Sequence, residues 1–149
     1  MACPLFIPSK PLGELVSVAT PLGDLYGGNC AADPHALIEP DTLRRYCNFG
    51  YARGYCERAG QSDADAVRLM VRSEHRNADR GNVVEIAWAV ERDHHPVAVG
   101  NMEIESGLLH ADPAQDALTR QAHACAAAYL RQAQGHPSDA RRIAVAAHL

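Results

Sequence analysis

The sequence predicts a single α+β domain: a loop-rich N-terminal half, an antiparallel β-meander of about three strands, and one long C-terminal helix packed on the sheet. Three features carry this reading. Apolar and polar residues alternate from Val67 to Ile104, a capped helical stripe runs from Asp112 to about Gln134, and a first third rich in proline and glycine holds Cys3, Cys30, Cys47 and Cys56. A chain of 149 residues has the usual length of one domain, placed over residues 1–137, with 138–149 as a poorly ordered or loosely docked tail.

From Cys3 to Cys30 the segment Pro11-Leu12-Gly13-Glu14-Leu15 returns as Pro21-Leu22-Gly23-Asp24-Leu25. Each copy reads as a turn, because proline fixes φ, glycine two residues on tolerates φ > 0, and the flanking leucines tuck inward. Asp33-Pro34 and Pro40-Asp41 are helix-start chemistry, and they predict two short helices with Leu37, Leu43 and Tyr46 facing inward. Cys47 then falls at the end of the second helix, and Asn48 and Gly50 follow as residues tolerant of left-handed geometry.

In the meander, Val67, Leu69 and Val71 share one face of the first strand, with Arg68 and Arg72 on the other. The turn-rich stretch Asn77–Asn82 leads to a second strand with Val84, Ile86, Trp88 and Val90 on one face and Glu85, Ala87, Ala89 and Glu91 on the other. The two pair as a hairpin that sets the arginines against the glutamates. Asp93-His94-His95-Pro96 turns the chain again into a third strand, in which Gly100-Asn101 shifts the phase and predicts a bulge. In the helix, Asp112 caps, Pro113 occupies the first turn, and Leu118, Ala122, Cys125, Ala126, Tyr129 and Leu130 form the apolar stripe before Gly135 and Pro137 end it.

The chemistry concentrates in the cysteines. Cys47 and Cys56 bracket the loop Asn48-Phe49-Gly50-Tyr51-Ala52-Arg53-Gly54-Tyr55, Cys3 stands beside Pro4, and Cys30 follows Gly27-Gly28-Asn29. Zinc knuckles take ligands in close CxxC pairs, and this chain has none. Four separated thiols beside glycine and proline suit the wider [4Fe–4S] cluster, with N–H groups free to approach sulfur where no side chain intervenes. The fold is therefore expected to close around a four-cysteine metal site of Cys3, Cys30, Cys47 and Cys56, with zinc as the alternative metal. Arg53, Tyr51, His94 and His95 are the expected outer shell, the arginine for its charge and the histidines as donors to sulfur. Cys125, in an alanine-rich helical stripe, reads as a small core residue and is the reserve ligand.

Composition narrows the function classes. Apolar residues make up 47% and aromatics only 5%, so the core is thin and a bound metal would help to stabilise it. A net charge of −4 without a basic patch speaks against nucleic acid as a partner. The N-terminus lacks the basic and apolar regions of a secretory signal, and no segment approaches a membrane span, so the expected setting is cytoplasmic, with reduced thiols. The leading expectation is a small iron–sulfur protein working in electron transfer or in redox or iron sensing, with a redox or regulatory protein as partner. A structural zinc module acting in protein–protein interaction is the alternative. An enzyme built on Asp93, His94 or His95 comes third, because no full constellation of nucleophile, base and oxyanion donor is present.

Overall fold

The computed structural model describes residues 1–13, 20–106 and 115–135. Strand β1 (Phe6–Pro11) pairs antiparallel with β2 (Tyr26–Cys30) as a small two-stranded sheet. A single helical turn, α1 (Pro40–Thr42), runs into a π-helical turn over Leu43–Cys47, and a 3₁₀ helix covers Glu57–Gln61. Strands β3 (Ala66–Asn77), β4 (Gly81–Arg92) and β5 (His95–Glu105) then form the antiparallel meander, and helix α2 (Ala117–Gly135) completes the order. Among the described residues no helix is long and apolar enough to cross a membrane.

The meander follows from its alternation. Val71 faces Ile86 and Ile86 faces Met102 across the ladders, and this face meets α2 in a core of Val84, Ile86, Ile104, Ala122, Cys125, Ala126 and Leu130. Asp93 and His94 take φ of 48° and 63°, the left-handed pair that a two-residue type I′ hairpin requires between β4 and β5. The bulge lies elsewhere than the glycine suggested. Gly100 sits in regular register opposite Trp88, while Val97 is the extra residue between Pro96 and Ala98. Gly100 instead makes room for an indole: a Cβ there would come within 2.5 Å of Trp88.

The N-terminal half holds more regular structure than its prolines suggest. Pro8 and Pro11 lie in β1, which tolerates them because a two-stranded sheet leaves each strand one unpaired edge. Gly28 lets the strands close, since a Cβ there would stand 2.1 Å from the Ile7 carbonyl oxygen. The second proline–glycine copy is a turn as expected, with Leu22 and Leu25 buried, whereas Glu14 and Leu15 of the first lie outside the described residues. Asp33-Pro34 opens turns, not a helix, and Leu37 is 95% exposed.

Helix α2 departs from expectation at both its start and its surroundings. Asp116 is the capping residue, accepting the Thr119 N–H at 2.9 Å, and Asp112-Pro113 lies outside the described residues, as does the predicted tail 138–149. The helix is buried on two sides. Beyond the face on the meander, Ala124 packs with Ala2, Cys3, Phe6, Leu22 and Tyr26, so α2 runs between the three-stranded sheet and the N-terminal layer. This explains its alanines: a helix with layers on both sides must be slim.

Candidate metal centre

Four separate elements carry the four N-terminal cysteines to one place. Cys3 lies in a tight turn whose carbonyl accepts the Phe6 N–H at 3.0 Å, and the register of β1 with β2 sets Phe6 opposite Cys30. Cys47 ends the π-helical turn, and its carbonyl accepts the Cys3 N–H at 2.9 Å. Cys56 stands just before the 3₁₀ helix, with its N–H held by the Ala52 carbonyl at 2.9 Å. All four line a single small cavity, of about 10 Å³, with Phe6, Ile38, Tyr46 and Arg58. None is in a disulfide; Cys3 and Cys30 are buried, Cys47 and Cys56 half-buried.

Their electrostatics tie them together. Burial pushes the Cys47 thiol up to about 12, and the facing Cys3, Cys56 and Cys30 push it the same way. Burial also raises Cys3. Cys47 is therefore a neutral thiol at neutral pH and a poor nucleophile, and a ligand that displaces its proton, such as a thiophilic metal, converts it to the thiolate. Among the described residues no group of three or more His, Cys, Asp or Glu is gathered closely enough to hold a metal ion. The thiols ring the cavity without converging on one point.

Two buried amides hold this arrangement; the sequence marks Asn48 only as tolerant of left-handed geometry, which it does not adopt (φ −78°), and does not mark Gln121. Asn48, fully buried, bonds the backbone of Tyr26 in both directions at 3.0 Å and also donates to the Leu43 carbonyl, so the segment ending in Cys47 is fixed to the strand ending in Cys30. Gln121 of α2, equally buried, donates to the carbonyls of Cys3 and Phe6 at 2.7 and 2.8 Å. A glutamine inside an alanine-rich stripe was the available signal. Arg58 was also missed: it lines the cavity together with Cys56.

The residues expected around the thiols lie elsewhere. Arg53, Tyr51, His94 and His95 are absent from the cavity lining. Arg53 donates to the Asp65 carboxylate at 2.8 Å and to the Ser62 carbonyl, and Asp65 also accepts the Asp93 N–H at 2.8 Å. Tyr51 stacks on His94 at 4.3 Å and donates to Glu91 at 2.6 Å, which also accepts from Arg68 at 2.8 Å. His95 lies against the Asp93 carbonyl. These contacts fasten the far side of the cysteine loop to the β4–β5 turn. Of the aromatics in and beside the cysteine loop, Tyr46 reaches the cavity, with exposed Tyr55 stacked on it at 5.4 Å. Cys125 lies in the core on α2, its thiol raised to about 11 by burial. No family model, curated protein or solved structure matches the chain.

Proposed function

We propose that this chain binds a [4Fe–4S] cluster on Cys3, Cys30, Cys47 and Cys56, and works in a reducing compartment such as the cytoplasm as an electron-transfer protein or a redox or iron sensor with a protein partner. One observation carries the reading: four thiols from four separate stretches of chain line one cavity, all unoxidised. An all-sulfur donor set selects soft metals. A tetrahedral zinc site with bonds of about 2.3 Å needs sulfurs roughly 3.8 Å apart, and among the described residues no three such donors are grouped to hold a metal ion. A cluster would be held by the thiols of Cys3, Cys30, Cys47 and Cys56, the four-cysteine ligation usual for such groups. When bound, the cluster would supply one-electron chemistry. The chain's part is to present the thiols, exclude water with Phe6, Ile38 and Tyr46, and release the thiol protons on loading.

Purification without oxygen, followed by iron, zinc and acid-labile sulfide analysis, tests this. A brown protein with broad visible absorption that dithionite bleaches is the expected result, and a colourless protein retaining stoichiometric zinc rejects it in favour of a structural zinc module. Serine in place of Cys3, Cys30, Cys47 or Cys56 should each empty the site, because serine is a harder and far less acidic ligand. Cys125→Ser should keep the metal and lose about 1–3 kcal/mol of stability, the cost of a hydroxyl in an apolar site.

A further inference from the structure

Arg53, Arg68, Arg80 and Arg131 each have a carboxylate as partner, in Asp65, Glu91, Glu103 with Glu105, and Asp24. Arg58 is placed differently. It is half-buried in the wall of the cysteine cavity, two residues after Cys56 and lining the same space as that cysteine. We propose that Arg58 is the positioning residue that sets the reduction potential of the cluster, by holding a fixed positive charge beside the Cys56 ligand.

The inference rests on the cluster reading given above. Four thiolates around a core of charge 2+ leave about −2 on the oxidised site, and one electron from an external reductant makes it about −3. A guanidinium beside that ligand attracts both states but the reduced one more, so it raises the potential. Arginine suits the task, since it stays charged at any accessible pH and its planar fork needs little ordering.

The experiment compares wild type, R58Q, R58K and R80Q, each reconstituted anaerobically with iron and sulfide and titrated with dithionite against mediators. Arg80 sits on exposed glutamates, so its removal changes net charge equally without touching the cavity. With full cluster content, R58Q should shift the reduction equilibrium about tenfold toward the oxidised form, about 59 mV for one electron. R58K should recover at least half of that, and R80Q should not move it. An unchanged midpoint in R58Q, or an equal shift in R80Q, overturns the proposal. So does loss of the cluster from R58Q alone, which would make Arg58 an assembly residue. Failure of the wild-type protein to take up iron and sulfide rejects the cluster itself and is distinguishable from all three.

Discussion

Asn48 acts as a length of backbone inserted between two elements: its amide pairs with the N–H and C=O of Tyr26 as a neighbouring strand would. Asn48→Ala takes that partner from both groups in a dry site, and each buried orphan costs about 1–3 kcal/mol. We expect a loss of about 3 kcal/mol in urea unfolding and weaker metal retention, because Cys47 loses its registration on Cys30; full stability in the alanine variant would show that water replaces the amide. The Tyr51–Glu91–Arg68 network adds a pH signature. Arg68, and after it Tyr51, holds Glu91 below the usual carboxylate range, so its stabilisation is present above the ordinary glutamate value and lost as pH falls through the lowered one. Tyr51 behaves oppositely: burial, then Glu91, raises its phenol from 10.0 to about 12, so its contribution is complete below pH 10 and disappears between 10 and 12. Tyr51→Phe should flatten that alkaline loss in a stability–pH profile, and an unchanged profile would mean that the phenol ionises freely. At this scale the cysteines were legible, because their glycine and proline neighbours mark places where backbone turns. The arginine was not: Arg53, inside the loop, is drawn away to the Asp65 carboxylate, while Arg58, in the 3₁₀ helix after it, lines the cavity, and only the folded chain separates the two.

Strands were readable where side chains alternate and hidden where backbone dominates. β3 and β4 announce themselves through Val67, Leu69, Val71, Val84 and Ile86, whereas β1 carries Pro8 and Pro11, and β2 is Tyr26-Gly27-Gly28-Asn29-Cys30, with hardly an apolar period to detect. The two glycine contacts separate a rigid demand from a soft one. At Gly28 an added Cβ meets the Ile7 backbone, so Gly28→Ala must part β1 from β2 and displace Cys30, for which we expect about 3 kcal/mol, the upper end of overpacking costs. At Gly100 the obstacle is the ring of Trp88, which is able to turn, so Gly100→Ala should cost about 1 kcal/mol and register as a shift in the fluorescence of the chain's one tryptophan. Equal costs from urea midpoints would show that the N-terminal strands yield as readily as an indole. The second buried face of α2 was hidden for a related reason: alanine is compatible with exposure, and Ala124 and Ala128 reveal nothing until Tyr26 and Gly23 are placed against them.

The whole molecule divides along α2. On one side the meander core of Val84, Ile86, Ile104 and Leu130 contains aliphatic bulk and none of the four clustered thiols; on the other, the layer of Ala2, Cys3, Phe6, Leu22 and Tyr26 is small and includes one of them. Burial at about 25 cal/mol per Å² favours the first side, so the second depends more on its amide clamps and on whatever joins the four thiols. Removing a bound metal should therefore loosen one layer before the other. In hydrogen exchange, the amides of Cys3 and Cys56 and of the β1–β2 ladder should lose protection in the apo protein. Those of β4, paired on both edges, and those of α2, still held by the meander, should keep most of theirs. Equal protection of the N-terminal amides with and without metal would deny the site a structural role. Loss in β4 and α2 together with β1–β2 would instead show one cooperative unit, in which Gln121, reaching from α2 to the carbonyls of Cys3 and Phe6, transmits the state of the metal centre to the entire chain.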